Sequence, residues 1–324
     1  MSELKFWPAK PEQYEPLIRS WAQQFPDLVQ LEGITQPTGH TVYALTITDP
    51  GIPLDRKKPL LFDVPHAHEP AGTVASLRVI NQLLTGKDLD GRPTDIDREQ
   101  ALRRLVLCFI PDANPAGRAR APEDVWDGTK YTNEEFLKIA FGVDAMTGER
   151  FTRYDRWREQ EHDVQQLGIV WEPLGNGVYV EPNRHKTSSL MRLVHRFWER
   201  YELARRLSLH QTEFEGRPYN CMILLPIIHE ELPPEIRAKN EAWGEKVVAA
   251  WREAGYNPVP NVRPLGYGGI QKEYFVRCWR DFFMVVPDIT SEVQNNNVRT
   301  PPEDQQRLSQ LAIKVTIADA LAEG

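Results

Sequence analysis

The strongest constraint on the fold is a rhythm of short apolar runs separated by segments of helical spacing. "PLLFDV" (59–64), "RRLVLCFIP" (103–111), "RRLSLH" (205–210) and "YNCMILLPII" (219–228) read as strands. "PLLFDV" is a short continuous apolar run rather than an alternating one, the pattern of a strand covered on both faces. Between these runs lie helical patterns. In "EQYEPLIRSWAQQFPD" the residues Tyr14, Leu17, Ile18, Trp21 and Phe25 share a face, and Pro26 closes the segment. "GTVASLRVINQLLTG" ends on Gly86, a residue suited to a helix C-terminus. Helices are also expected in "TSSLMRLVHRFWERYELA", in "PPEIRAKNEAWGEKVVAAWREAG" and in the last 25 residues, while "WRDFFMVVPDIT" is expected to carry a late strand. Strands that alternate with helices in this way define an α/β protein with helices on both faces of one sheet. Residues of about 118–176 break the rhythm. They are charged and rich in Trp and Tyr, and they are expected to form an excursion from the sheet rather than a separate domain.

Composition narrows the function. The chain has 324 residues, 41% of them hydrophobic and 26% charged, which is ordinary for a globular protein with a large core. The net charge is −7, and no block of Lys and Arg offers a footprint for nucleic acid. No run approaches the roughly 18 apolar residues of a membrane span, so no membrane partner is expected. Cys108, Cys221 and Cys278 are far apart and form no C-x-x-C pair, which argues against a thiolate metal site. With an opening "MSELKFWPAKPEQYEP" that lacks the apolar centre of a signal peptide, they suggest reduced thiols and a cytoplasmic location.

One stretch concentrates the chemistry. "LLFDVPHAHEPAG" (60–72) stops a buried strand and at once places His66, His68 and Glu69. Catalytic groups of α/β sheets gather where strands end. His210 follows "RRLSL" and meets the same condition. H-x-x-E arises easily by chance, and His210 to Glu213 is a second instance. The combination is more telling, because two imidazoles and one carboxylate make an open three-ligand zinc site.

The order of motifs along the chain resembles the zinc carboxypeptidases of the carboxypeptidase A type, the M14 metallopeptidases. "HAHE" follows a strand and precedes a helix. "NPAG" (114–117) follows the next strand. Glu181 precedes Asn183-Arg184 in "EPNR". A distant "SLH" ends in His210, and a late "ITSEVQ" carries Glu292. The set covers about residues 12–320. It departs from the family at Ala116, where an aspartate is usual, and at Pro182.

The resemblance implies a single catalytic domain over 1–324 with a mixed, mostly parallel sheet flanked by helices. It implies one Zn²⁺ held by His66, Glu69 and His210, with His68 turned away. Glu292 is implied as the general base and Glu181 as the partner that orients a ligand histidine. Asn183 and Arg184 would clamp a substrate carboxylate, and Arg120, in preference to Arg118, would stabilise the oxyanion. The tyrosine that closes over substrate is left open between Tyr267 and Tyr274. The implied activity is hydrolysis of C-terminal peptide bonds. Two other readings stand beside it: a zinc amidohydrolase of the aspartoacylase and succinylglutamate desuccinylase type or a cell-wall peptide amidase, and a non-catalytic binding protein on the same fold. The enzymatic readings share a peptide or acyl-amino-acid substrate with a free carboxylate. Oligomeric state is not encoded in any of these motifs.

Overall fold

A computed structural model of the chain describes residues 6–151 and 155–323. Helix α1 (Pro11–Gln24) buries Tyr14, Ile18 and Trp21. Strands β1 (Val29–Thr35) and β2 (Thr41–Ile47) form a hairpin, followed by β3 (Lys58–Asp63) and helix α2 (Pro70–Thr85). Gly86 ends α2 at φ 77°, a left-handed conformation that glycine adopts without strain. Helix α3 (Arg98–Arg104) leads into β4 (Leu105–Ile110) and the short α4 (Pro115–Arg120). After the excursion come α6 (Ser189–Arg200), β10 (Arg205–Thr212), β11 (Cys221–Leu225), α7 (Pro234–Glu253), β12 (Arg263–Pro264), α8 (Gly269–Phe283), β13 (Asp288–Gln294) and α9 (Pro302–Ala322).

Eight strands form one sheet in the order β1-β2-β4-β3-β10-β13-β11-β12. The pairs β4·β3, β3·β10, β10·β13 and β11·β12 are parallel, and the other three are antiparallel. The α/β class and the covered faces follow from the apolar runs as expected. Side chains alternate between faces. Leu60, Phe62, Leu207, Leu209, Ile289 and Val293 pack with α1, α2, α3, α7 and α9. Leu61, Val106 and Cys108 pack with α6 and α8 on the other face. All three cysteines are buried and free.

The late apolar stretch differs from expectation. "WRDFF" closes α8, and the strand starts only at Asp288. Phe275, Cys278, Trp279 and Phe282 recur at helical spacing and pack into the second core, so the helical period prevails over the local apolar run. The hairpin strand β1 was not foreseen, because its burial is patchy.

The excursion contains helix α5 (Asn133–Phe141), a β5 (Gly142–Asp144)·β7 (Val164–Leu167) ladder and a small sheet of β6 (Arg156–Arg158), β9 (Val178–Val180) and β8 (Glu172–Gly175). Phe151, Trp157 and Trp171 give it its own small core. No helix among the described residues is long and apolar enough to cross a membrane.

Candidate metal centre and substrate cavity

Strand β3 ends at Asp63, and the chain turns through His66 to Glu69, whose N–H returns to the His66 carbonyl at 3.1 Å. Pro70 then opens α2, so Glu69 is fixed at a strand-to-helix turn. Gly117, in "NPAG", lies against this loop. A Cβ there would stand 2.0 Å from the Ile169 carbonyl oxygen and 2.9 Å from Ala67 Cβ. Asn114 caps α4 by accepting from the Gly117 N–H at 3.0 Å, and its amide donates to the carbonyls of Ile169 and Val170. The excursion is thereby tied to the loop that carries the histidines.

His66, Glu69 and His210 each offer one ligand atom, and these atoms lie within 4.8 Å of one another. Glu69 Oε2 is 3.0 Å from His66 Nδ1 and 3.1 Å from His210 Nδ1. The other nitrogen of His66, Nε2, lies 2.7 Å from Glu181 Oε1. Both nitrogens of His66 therefore face carboxylate oxygens, and a neutral imidazole has only one N–H to give. A divalent cation among the three ligand atoms satisfies the rest, so the donor set fits zinc. Without it the carboxylates act on the ring. Burial opposes protonation of His66, but Glu69 and Glu181 together outweigh it and raise its pKa to about 10. Burial also works against ionisation of Glu181, yet Arg184 and His66 bring its pKa down to about 2.

His210 does not follow its strand, as expected, but lies inside β10, where it pairs with Glu292 of β13 in parallel register. Both line a cavity of about 250 Å³ together with His66, Glu69, Asn183 and Arg184. Arg184 is buried, 3.4 Å from Glu181 Oε1 and over the ring of Tyr267 at 5.2 Å. Tyr267 lines the cavity, whereas Tyr274 pairs with the Arg277 guanidinium. His68 also lines the cavity, packs against Phe136 and Phe141 of α5 and lies 3.6 Å from Glu69 Oε1, but it is outside the His-Glu-His cluster. His162 is half-buried against Phe151 and Trp157.

Arg120 is the correction. Its guanidinium donates to the carbonyls of Ala116, Gly168 and Trp171 at 3.1 to 3.3 Å, and it does not reach the cavity. Arg118 is buried too and donates to the carbonyls of Ala67 and Glu123. Main-chain carbonyls around α4 need donors when they leave water, and these two arginines supply them. The oxyanion role assigned to Arg120 has no geometric basis.

The excursion supplies residues that the motifs missed. Leu137 and Phe141 of α5 line the cavity, as do Leu265 and Phe275. Their signal was the helical spacing in "NEEFLKIAF", but nothing local says which site that helix covers.

An α/β sheet with a His-Glu-His cluster and a glutamate on the strand beside His210 defines the class of metallohydrolases to which the comparisons lead. The profile of the family described as "Peptidase_M14: Zinc carboxypeptidase" matches residues 14–172, just under half of the chain. A search of curated proteins gives no match. Solved structures agree in fold. Carboxypeptidase A from Helicoverpa armigera superposes with a TM-score of 0.59 at 14% identity, over 97% of this chain and 74% of that one. For thrombin activatable fibrinolysis inhibitor the values are 0.60 and 14%, over 97% and 75%. For a metallo-carboxypeptidase from Pseudomonas aeruginosa in complex with (2-guanidinoethylmercapto)succinic acid they are 0.56 and 14%, over 97% and 70%.

Proposed function

We propose that the chain is a zinc-dependent metallocarboxypeptidase that releases C-terminal residues. The reading rests on one observation above others: the His66, Glu69 and His210 ligand atoms, the Glu292 carboxyl and the Arg184 guanidinium share one cavity. His66 Nδ1, Glu69 Oε2 and His210 Nδ1 are the atoms that would hold zinc. When bound, zinc polarises a carbonyl and makes water more acidic. Arg184 and Asn183 receive the substrate's terminal carboxylate, a task that guanidinium geometry suits. Tyr267, stacked over Arg184, covers that carboxylate. Glu292 takes the proton from the attacking water and delivers it to the leaving amine.

Glu292→Gln tests the mechanism, since it keeps shape and removes proton transfer. The expected result is unchanged folding and zinc content with kcat lower by at least about 100-fold. The exposed Glu273→Gln is the control and stays near wild type. A Glu292→Gln enzyme working at the wild-type rate removes the glutamate from the mechanism, and loss of zinc would make it a ligand.

The cavity also favours a second reading. Its volume of about 250 Å³ is below the roughly 300–1,000 Å³ typical of small-molecule sites, and Leu137 and Phe141 wall it from the excursion. That confinement suits a short N-acyl amino acid, the substrate of a zinc amidohydrolase. Parallel kcat/KM values for acyl amino acids and for peptides of increasing length separate the two.

A further inference from the structure

Beneath the metal centre lies a row of buried polar groups of which the family motifs contain only Ser208 and His210. Arg206, Ser208 and His210 alternate along β10 and so point to one face of the sheet. The register sets Asp63 of β3 opposite Ser208 and Asp288 of β13 opposite Arg206. Arg206 binds Asp63 through two hydrogen bonds, Nε to Oδ2 at 2.6 Å and Nη2 to Oδ1 at 3.0 Å. Its third arm donates to Asp288 at 2.9 Å, and its guanidinium lies 3.9 Å from the ring centroid of Trp279. Ser208 Oγ is 2.9 Å from Asp63 Oδ1, 3.2 Å from Arg206 Nη2 and 3.1 Å from His210 Nε2. All of these residues are buried.

We propose that Ser208, backed by Asp63, is a positioning residue that fixes the ring tautomer of His210 so that its Nδ1 lone pair faces the metal position. The proposal rests on the reading of His210 as a zinc ligand. A serine hydroxyl has one proton and two lone pairs. Arg206 can only donate. The Asp63 carboxylate, gripped by Arg206, accepts, so the serine proton goes to Asp63. Arg206 Nη2 takes one lone pair of Oγ, and the other faces His210 Nε2. That nitrogen must then carry the ring proton. A neutral imidazole has no second N–H, so Nδ1 is left as a bare donor atom, beside Glu69 Oε2 at 3.1 Å.

Asn183 is compatible with the same tautomer once its amide is turned. Its Nδ2 lies 3.4 Å from His210 Nε2, while its Oδ1 is buried without a hydrogen-bond partner. Turning the amide about its last torsion presents Oδ1 to the Nε2–H as a second acceptor beside Ser208 Oγ. Orienting partners behind ligand histidines are usually a carboxylate, a carbonyl or water. Here a hydroxyl stands between, and the carboxylate behind it strengthens the hydroxyl as an acceptor, since linked hydrogen bonds polarise one another in a low-dielectric interior. Replacing a buried ion network by apolar residues is often neutral for stability. Orientation of His210 is the function this network serves.

Two measurements on the full chain test this. In wild type loaded with zinc and labelled at histidine nitrogen, His210 should show an Nε2–H protected from solvent exchange, with Nδ1 as the metal-bound nitrogen. The opposite assignment overturns the proposal without any variant. Zinc affinity is then measured by chelator competition for Ser208→Ala and Ser208→Thr. The alanine variant should bind zinc about 10- to 100-fold more weakly and lose the protected proton. Threonine, which keeps the hydroxyl, should restore both. Ser208→Ala binding zinc as tightly as wild type, with the proton still protected, overturns the proposal alone. A wild-type chain that takes up no zinc overturns the metal centre and this proposal with it.

Discussion

His66 and His68 are two positions apart, stack at 5.3 Å between ring centroids and both line the cavity, yet only His66 offers an atom to the ligand cluster. His66 lies between Glu69 and Glu181, while His68 meets the aromatic rings of α5. Substitution should separate the two roles. His66→Ala removes a ligand atom and should abolish tight zinc binding. His68→Ala leaves the donor set intact and should keep zinc at one per chain. It removes a packed ring, however, and should lower stability by about 0.5–3 kcal/mol, the usual range for destabilising single substitutions. Metal content and denaturant melts of both variants check this. Zinc lost on His68→Ala and kept on His66→Ala would redraw the ligand set.

At the scale of elements, the excursion is joined to the main body by a buried carboxyl. Glu172 of β8 accepts from the N–H and hydroxyl of Ser189, at the first turn of α6. Burial pushes its pKa up to about 7, although the Ser189 donors pull the other way. The folded chain therefore holds a proton there that the unfolded chain releases near 4.5. Between those two values the native state binds more protons, so stability falls as pH rises from about 4.5 to about 7 and levels off above. The size is on the order of 3 kcal/mol from one group. Glu172→Gln keeps an acceptor for Ser189 and cannot ionise. It should match wild type at about pH 4.5, where the carboxyl is protonated in the folded chain, and exceed it at alkaline pH. Denaturant melts across the range test this, and parallel profiles for the two proteins would show that Glu172 does not carry the effect.

For the whole molecule, the metal position joins the β3–α2 turn to the middle of β10, so zinc that binds only the folded form should stabilise the entire sheet. At free zinc 100-fold above Kd the gain is about 2.7 kcal/mol. Chelation should lower Tm, and added zinc should restore it. The His66→Ala chain should respond to neither. A wild-type Tm indifferent to chelator would show that zinc is not part of the folded protein as isolated.

Much of this architecture was legible in the order of residues. Apolar runs such as Leu60–Phe62 and Leu105–Ile110 encode strands covered on both faces, because a polar side chain buried there needs a partner. The turn with His66 and Glu69 is legible for the same reason, since it begins where the apolar run stops. Pairing across the sheet was not. Glu292 stands beside His210, and Asp63 beside Ser208, only because β3, β10 and β13 align in one parallel register. Arg120 looked like a catalytic cation and proved to be a donor to carbonyls of the excursion. Local sequence determines which side of an element is buried, through periodicity and polarity. What lies across from that side, and so whether a buried charge serves a metal, a carbonyl or another charge, is decided when distant strands and loops meet.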